Sequence, residues 1–280
     1  MRYVGPYSHA STPTYLSLAN ASTPDRRPGL LTLADQVTAA CAPHLAVFPS
    51  VHALQPAVLT DVQKETLIDG YENRSAKVKR LLEAMRISLP AEHLDLCPFC
   101  NLETTYQIDH YLPKRRYPEF SLHGPNLLPI CPGCNQAKGS AVATAAGHRI
   151  ILMPTADAAL TQRVLTATLF MNPGPHFAYS IDQNATVNPA DHALICRHFD
   201  RLNLAVRYRR RAHSLMEALK NNVSRVSSLQ TVAQKRRIAR RTILDGYRAA
   251  KMEEPTNGWR LAFYRAILAQ RIAFTDWLDS

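Results

Sequence analysis

The apolar positions along the chain recur mainly with the period of an α-helix. The stretch from 75 to 86 shows this most clearly, because its apolar side chains stand at i, i+3, i+4 and i+7. They are Val78, Leu81, Leu82 and Met85. Ser75 is a residue type that caps helix N-termini, and Pro90 cannot continue a helix. We therefore expect a helix over 75–86 whose apolar face packs into a core.

The same spacing predicts further helices, mostly towards the two ends of the chain. They are expected near 31–42, 60–72, 190–223, 228–252 and 257–279. The first thirty residues are rich in Ser, Thr and Pro, and we expect them to be irregular. In the last helix, the large apolar side chains are expected to form core or a partner surface rather than base-stacking platforms. These are Trp259, Phe263, Ile267, Phe274 and Trp277.

Short apolar runs in the middle of the chain predict strands instead. We expect strands near 105–110 and 127–130, followed by a short helix from about residue 134. Residues 149–153 and 165–187 are expected to form short extended pieces separated by turns. The pattern thus predicts an α+β fold with a small mixed centre and largely helical N- and C-terminal extensions.

Four of the six cysteines lie in two Cys-x-x-Cys pairs around this predicted centre. The pairs are Cys97 with Cys100 and Cys131 with Cys134, with thirty residues between them. A two-residue spacing lets both thiolates of a pair bind one ion, and two such pairs complete a tetrahedral Zn²⁺ site. The spacing therefore predicts a structural zinc.

The segment between and around the pairs contains YQIDHYLPKRRYPEF and then NLLPICPGCNQAKG. It resembles the HNH, or ββα-metal, endonucleases, specifically the subgroup whose core is stapled by a four-cysteine zinc. The order of features carries the resemblance: a cysteine pair, a strand ending in Asp-His, a Pro-Lys dipeptide, Asn126, the second pair and Asn-x-x-Lys. The resemblance covers about residues 97–139 and implies a zinc-stapled ββα-metal (HNH) core.

Phosphodiester hydrolysis needs an activated water and a cation on the charge that develops at the phosphate. His110 is the natural base, because a neutral imidazole can take a proton from water near pH 7. Asp109 points to the other side of an extended segment, and its carboxylate suits a hard cation such as Mg²⁺. In HNH enzymes this Asp is a metal ligand and the central Asn holds the catalytic His. The resemblance implies these roles for Asp109 and Asn126.

The residue after the second cysteine pair departs from the usual family pattern. The family usually has His there, whereas this chain has Asn135. An amide oxygen is an acceptable ligand for Mg²⁺ or Mn²⁺, so Asn135 is the candidate second ligand. Lys138, three residues later, is expected to face the same phosphate as a catalytic residue. His123 and His148 are alternative ligands.

Two plainer interpretations stay open. Two Cys-x-x-Cys pairs alone also suit a zinc ribbon, in which the metal only holds the fold. Asp109 and His110 would then be an ordinary salt-bridged surface pair. The alternative function is a non-cleaving zinc module that binds nucleic acid or a partner protein, and Asn135 is the residue that favours it.

The net charge of +11 is concentrated at the C-terminal end. Residues 1–200 hold 16 Lys and Arg and 16 Asp and Glu, whereas residues 201–280 hold 17 and 6. Such basic clusters indicate contact with a phosphate backbone, or else a solvated helix face that meets acidic residues of another subunit. The candidate nucleic-acid-binding residues are Lys114, Arg115, Arg116, Arg209, Arg210, Arg211, Lys235, Arg236, Arg237, Arg240 and Arg241.

The remaining sequence features favour a cytoplasmic protein. Cys41 and Cys196 are far apart and are expected to be buried thiols, which fits a reducing compartment. The first twenty residues lack the apolar stretch of a signal peptide. Apolar runs also stay below the roughly 18 residues that a membrane span requires. We therefore expect no association with a membrane.

The predicted function is that of a metal-dependent HNH endonuclease acting on DNA, with RNA left open as a substrate. The segment FMNPGPHFAYSIDQNATVNP, followed by a helix and RLNL, is faintly similar to the Septu and retron-associated HNH nucleases of bacterial anti-phage defence. That similarity implies a defence effector controlled by a partner such as an ATPase, and a homo-oligomer is also open. Four regions are expected: helical 1–90, the HNH core 91–150, short strands and a connecting helix 151–200, and basic helical 201–280.

Overall fold

Helices dominate the part of the chain that this computed structural model describes. The described residues are 1–5, 12–47, 49–87, 96–105, 107–227 and 231–279. Their helices are α1 (Tyr15–Ala21), α2 (Arg27–Thr32), α3 (Ala34–Ala46), α4 (Asp61–Glu72), α5 (Ala76–Ile87), α6 (Pro132–Lys138), α7 (Pro189–Arg201), α8 (Leu204–Ser227), α9 (Val232–Glu253), α10 (Trp259–Ala269) and α11 (Arg271–Asp279).

Two small antiparallel sheets accompany these helices. Strand β1 (Gln107–His110) pairs with β2 (Leu127–Ile130), and β3 (Leu165–Phe170) pairs with β4 (His176–Ile181). In the first sheet His110 lies opposite Leu127, and Asp109 lies opposite Leu128. The prediction of a mixed helix-and-sheet fold is confirmed.

The chain divides into two units, which are described separately. The N-terminal unit comprises Tyr3–Phe99 and Glu103–Ala158. The C-terminal unit comprises Met1–Arg2, Cys100–Leu102 and Ala159–Ser280. The four-region organisation expected from the sequence stays a prediction, and its boundary at residue 90 lies outside the described residues.

The N-terminal unit packs α1 to α5 on one another and places α6 against β1. The apolar face predicted for α5 is present: Val78, Leu82 and Met85 are buried, whereas Leu81 is only half-buried. Ser75 caps this helix by accepting a hydrogen bond from the Val78 amide at 3.0 Å. The predicted stop at Pro90 lies outside the described residues.

Glycine in α4 permits a close approach to α2 and to the loop that contains Leu122. A Cβ on Gly70 would lie 2.9 Å from a methyl group of Leu30 in α2 and 3.4 Å from one of Leu122. A capping box of Thr60 and Gln63 fixes the start of α4. The last turn of α4 is linked to the strand that ends in His110 by Tyr71, whose hydroxyl donates to the Ile108 carbonyl at 3.0 Å.

The C-terminal unit places α8 against β4 and α10 against β3. The side chain of Asn257 accepts hydrogen bonds from the amides of Val164 and Leu165 at 2.8 and 3.1 Å and so fixes the start of β3. Tyr208 of α8 donates to the Cys100 carbonyl at 2.8 Å, which ties the segment Cys100–Leu102 to this unit.

The large apolar side chains of the last predicted helix belong mainly to the core of this unit. Phe263, Ile267 and Phe274 are fully buried. Trp259 and Trp277 are half-buried. The expectation of core rather than base-stacking platforms is met for the three buried side chains.

Four expectations for the elements were wrong. The first thirty residues are partly helical, since Thr14 caps α1 and Pro28 lies in the first turn of α2. The expected helix 190–223 is interrupted, because Asn203 has a φ of +50°, and the expected helix 257–279 is interrupted at Gln270. Residues 149–153 form no strand beyond a single bridge between Ala143 and Arg149.

Candidate functional site

The four cysteines of the two pairs lie together in the interior. Their Sγ atoms are all within 4.8 Å of one another, and all four side chains are buried. Ligands bound to one Zn²⁺ at about 2.3 Å in tetrahedral geometry lie roughly 3.8 Å apart, so this cluster needs only a small contraction. Cys97, Cys100, Cys131 and Cys134 therefore fit a structural zinc site.

Local backbone geometry presents each pair to the common centre. Cys131 caps α6, and its Sγ accepts a hydrogen bond from the Cys134 amide at 3.3 Å. The first pair lies in a tight turn closed by the Cys97 amide and the Glu103 carbonyl at 2.8 Å. Asn101 within this turn has a φ of +54°, a conformation that Asn tolerates better than most residues.

His110 lies at the end of β1 and is buried. Its Nε2 is 3.0 Å from the Ser121 carbonyl oxygen. A carbonyl can only accept a hydrogen bond, so Nε2 carries the proton and Nδ1 is left as the proton acceptor of the ring. The Tyr71 ring packs against the imidazole in a T-shaped arrangement, with ring centroids 4.2 Å apart.

The electrostatic surroundings keep the His110 ring neutral. Its pKa is lowered to about 3, chiefly by burial. The hydrogen bond with Ser121 raises the pKa, and nearby positive charge lowers it further. That charge comes from Lys114, Lys138 and Arg74. At neutral pH the ring is therefore present in the form that can accept a proton.

Asp109 is buried beside His110 and forms an ion pair with Lys138. The Lys138 ammonium lies 2.9 Å from Asp109 Oδ2 and also donates to the His110 carbonyl at 2.8 Å. Burial raises the pKa of Asp109, while the positive charge of Lys138 opposes the rise. Lys138 itself is 1% exposed, so in this structure it contacts the end of the strand rather than facing solvent.

The side chains predicted to hold a catalytic metal are chemically suitable, and each already has a protein partner, Asp109 through an oxygen and Asn135 through its amide nitrogen. Asp109 uses Oδ2 in the ion pair with Lys138. The Asn135 amide nitrogen donates to Gln107 Oε1 at 2.7 Å, so its own oxygen is left for other contacts. A carboxylate and an amide oxygen fit Mg²⁺ or Mn²⁺, which also retain several water ligands.

Asn126 holds the loop between the two strands rather than contacting the His110 ring. Its Oδ1 accepts from the Leu112 amide at 2.8 Å, and its Nδ2 donates to the carbonyls of Leu112 and Phe120 at 3.0 and 3.3 Å. The residue after Phe120 is Ser121, whose carbonyl binds His110. Asn126 thus positions the ring through the loop backbone.

The two alternative ligands lie in different surroundings. His123 is buried against His44, with ring centroids 4.8 Å apart. His148 is exposed near a turn after Thr144. Among the described residues, no second group of three or more His, Cys, Asp or Glu side chains is close enough to hold a metal.

Two side chains beside His110 were missed in the sequence. Tyr71 donates from its hydroxyl to the Ile108 carbonyl at 3.0 Å, and the Arg74 guanidinium carbon lies 4.0 Å from the centroid of the Tyr71 ring. Both precede the first cysteine pair by more than twenty residues, so no local spacing connects them with the predicted site.

The predicted basic residues fall into two groups, one in each unit. In the N-terminal unit, Lys114 pairs with Glu72 at 3.2 Å, while Arg115 and Arg116 are exposed. In the C-terminal unit, Arg209, Arg210 and Arg211 are exposed on α8, and Lys235, Arg236, Arg237, Arg240 and Arg241 lie on α9 with Lys235 half-buried. None of the described helices is long and apolar enough to cross a bilayer.

Comparison with known proteins gives one partial similarity. The chain is 30% identical over 172 residues to the protein named "Protein ea31" of Escherichia phage lambda. The match covers 59% of this chain and 57% of that protein, which is less than two thirds of its length. No family model and no solved structure matches the chain. The name of the phage protein describes no activity, so the similarity assigns none here.

Proposed function

We propose that the protein is a metal-dependent HNH endonuclease that hydrolyses phosphodiester bonds in DNA. The observation that carries the proposal is the state of His110. Its ring is buried and neutral. Its Nε2 donates a hydrogen bond to the Ser121 carbonyl, so its Nδ1 is the atom that can accept a proton. The order of β1, β2 and α6, with α6 packed on β1 next to the cysteine cluster, supports a ββα-metal core.

In this proposal, His110 Nδ1 takes the proton from the water that attacks the phosphorus atom. A DNA phosphate beside the ring favours the imidazolium that forms, because an anion stabilises the charged state. Mg²⁺ or Mn²⁺, held by Asp109 and Asn135, would supply positive charge at the scissile phosphate and the leaving oxygen. Lys138 holds Asp109 and the end of the strand in place.

The test compares His110→Ala with the control His148→Ala, which changes an exposed histidine. Supercoiled plasmid is incubated with each protein and Mg²⁺, Mn²⁺ or no added divalent metal, and the nicked and linear products are measured. We expect the wild type and His148→Ala to cut with metal only. His110→Ala should be slower by about 10²–10⁴-fold, the usual contribution of a general base, with unchanged zinc content. Undiminished nicking by His110→Ala would show that His110 is not the general base.

A second candidate function is a non-cleaving zinc module that binds nucleic acid or a partner protein. The ion pair between Asp109 and Lys138 favours it, because the buried carboxylate already has a cation. Absence of metal-dependent cutting by the wild type, together with retained DNA binding, would select this function.

The biological role is proposed from the sequence resemblance. We infer a nuclease effector of bacterial anti-phage defence that a partner such as an ATPase restrains or targets. The nicking test above should therefore be repeated with any co-purifying protein retained, because a restrained or untargeted nuclease can be inactive alone.

A further inference from the structure

The N-terminal helices place a cation at the candidate active site. Tyr71 lies in the last turn of α4, and its hydroxyl donates a hydrogen bond to the Ile108 carbonyl of β1 at 3.0 Å. The side chain is buried, and its ring makes a T-shaped contact with the His110 ring. The ring is thus fixed both to the strand and to the candidate base.

Arg74 lies over this ring. Its guanidinium carbon is 4.0 Å from the ring centroid, and its Nη1 donates to the Tyr71 carbonyl at 2.7 Å. Arg74 stands in the short link between α4 and α5, which the Ser75 cap of α5 holds in place. The guanidinium is therefore placed by an aromatic face and a backbone oxygen.

The charge of Arg74 is not balanced locally. Among the described residues, no carboxylate lies within ion-pair distance of it, whereas Lys114 nearby is paired with Glu72. The guanidinium is half-buried, and one of its five N–H groups is used by the Tyr71 carbonyl. A planar donor that is held in place and lacks an acid partner suits an oxyanion, above all a phosphate, which arginine can bind through two parallel hydrogen bonds.

We propose that Arg74 binds a backbone phosphate of the DNA strand next to His110, with Tyr71 as the positioning residue for both side chains. This rests on the proposed function for its assignment to the strand that is cut. It extends the site beyond the zinc-stapled core, because both residues come from the N-terminal helical region. The guanidinium would contact an oxygen of the scissile phosphate or of its neighbour and hold the strand over the His110 ring.

The experiment measures DNA binding without cleavage. Fluorescence anisotropy with a labelled DNA duplex, in buffer without added Mg²⁺ or Mn²⁺ and without chelator, gives Kd over a series of salt concentrations for four proteins: wild type, Arg74→Gln, Arg74→Lys and Arg80→Gln. Arg80 is an exposed arginine of α5, so its replacement makes the same change in net charge away from the site. Melting temperatures are recorded for all four.

We expect Arg74→Gln to weaken binding about tenfold and to reduce the salt slope by about 0.9, the loss of one phosphate contact. Arg74→Lys should keep most of the salt slope and recover only part of the affinity, because lysine retains the charge and lacks the planar fork. Arg80→Gln should bind like the wild type.

The outcomes separate this inference from the proposed nuclease. If the wild type nicks DNA and Arg74→Gln binds like Arg80→Gln, the phosphate contact is wrong and the nuclease stands. If the wild type never nicks, either alone or with its co-purifying protein retained, but Arg74→Gln loses affinity and slope, the contact stands and the nuclease fails. The contact is also overturned if Arg74→Gln has the same salt slope as the wild type and loses affinity only to the extent that its melting temperature falls. Absence of DNA binding by the wild type overturns both.

Discussion

Asn135 is the residue on which the assignment of the catalytic metal depends most. Its amide nitrogen is bonded to Gln107 Oε1, and this orients the amide so that the oxygen faces away from Gln107. Gln107 and Asp109 are two residues apart on β1 and therefore share a face of the strand. This places the Asn135 amide along the side of the strand that carries the Asp109 carboxylate.

We predict that Asn135→Ala cripples cleavage at ordinary Mg²⁺ concentrations and is partly rescued at high Mg²⁺, because one oxygen ligand is lost. Asn135→His should stay active and shift its preference towards Mn²⁺, Co²⁺ or Ni²⁺, since imidazole nitrogen is a softer ligand. The measurement is the initial nicking rate across titrations of each metal.

Gln107→Ala is the matched control, because it removes the same amide–amide hydrogen bond and leaves the Asn135 oxygen in place. A ligand role predicts that Gln107→Ala keeps a near-normal metal requirement. If Gln107→Ala and Asn135→Ala show the same change, Asn135 acts only through Gln107. If Asn135→Ala cuts as well as the wild type at every Mg²⁺ concentration, the residue is no ligand.

His44 and His123 form a buried pair outside the candidate site. Their rings are 4.8 Å apart, and both rings contact Phe120. Burial lowers the pKa of His44 to about 4, and burial followed by the effect of His44 lowers the pKa of His123 to about 3. Both rings are therefore uncharged in the folded protein at neutral pH.

Because His44 and His123 are buried and uncharged, we predict that the protein loses stability in mild acid. Above about pH 6.5 the rings are neutral in both the folded and unfolded chain, so they add no pH dependence. Below that pH the unfolded chain takes up protons first, and the free energy of unfolding falls until the folded pKa is reached. For His44 alone, the free energy of unfolding lost by pH 4 is on the order of 3 kcal/mol. Each kcal/mol corresponds to roughly 2–4 °C in melting temperature.

His44→Phe keeps an aromatic ring at this position and removes the titration. Melting temperatures between pH 7 and pH 4 should fall less steeply for His44→Phe than for the wild type, while the exposed control His148→Gln should follow the wild type. Parallel curves for all three proteins would show that the pair does not govern acid stability.

The spacing of residues along the chain indicated only part of the candidate site. The two cysteine pairs were predictable because two-residue spacing is a local property, whereas the Asp109-His110 dipeptide was singled out by the resemblance to HNH endonucleases. Ser121 and Tyr71 were not predictable, since they contact His110 only after the loop closes and the end of α4 meets β1, and Arg74 is placed by its contact with the Tyr71 ring. The contact between Lys138 and Asp109 likewise depends on how α6 lies on the strand.

At the scale of elements, the cysteine pairs join a tight turn to the start of α6. Neither segment is long: α6 has seven residues, and β1 and β2 have four each. Elements of this size bury little apolar surface and depend on cross-links for their stability. The candidate base and the Asp109 carboxylate lie on β1, so their placement depends on this cluster.

We predict that Cys97→Ser or Cys134→Ser loses both the zinc and the fold of this core. The free energy of zinc binding is also folding free energy here, about 10–16 kcal/mol in small modules. Elemental analysis should give one zinc per wild-type chain and much less for the variants, with a lower melting temperature and no nicking.

Cys196→Ser is the control, because this half-buried cysteine lies on α7 outside the cluster. It should retain the zinc, the melting temperature and any nicking activity. A Cys97→Ser protein that is free of metal yet folded and active would rule out a structural zinc.

The helical periodicity predicted the elements better than their ends. The expected helix near 60–72 corresponds closely to α4, and the expected helix 228–252 to α9. The breaks after α7 and α10 were missed, because apolar spacing continues across Leu202 and Ile272 while the backbone turns. Such breaks are set by tertiary packing and by single residues in a left-handed conformation, which periodicity does not detect.

At the scale of the whole molecule, the charge follows the division of the chain. The excess of positive charge lies in the last 80 residues, on α8 and α9. Part of it is balanced: Arg236 pairs with Asp276 at 3.1 Å, and Arg241 lies 3.6 Å from Asp245. Arg237 and Arg240 are exposed on α9 and form no ion pair with another described residue.

We predict that the double variant Arg237→Gln with Arg240→Gln weakens DNA binding for all sequences alike. Each lost phosphate contact should reduce the slope of log Kd against log salt by about 0.9, so the pair should reduce it by about 1.8. The control is Lys79→Gln with Arg80→Gln on α5, which makes the same change in net charge on exposed side chains of the N-terminal unit. Anisotropy titrations with two unrelated duplexes, at several salt concentrations and without added Mg²⁺, Mn²⁺ or chelator, measure both quantities.

The difference between the α9 variant and the α5 control shows what the basic face of α9, formed by Arg237 and Arg240, contacts. A smaller slope for the α9 variant alone assigns this face to the phosphate backbone, and equal losses on both duplexes show that it carries no sequence preference. If both double variants bind with the wild-type affinity and slope, the arginines of α9 do not contact DNA. They would then be available to acidic residues of a protein partner, and a change in co-purification or oligomeric state of the α9 variant would identify that contact.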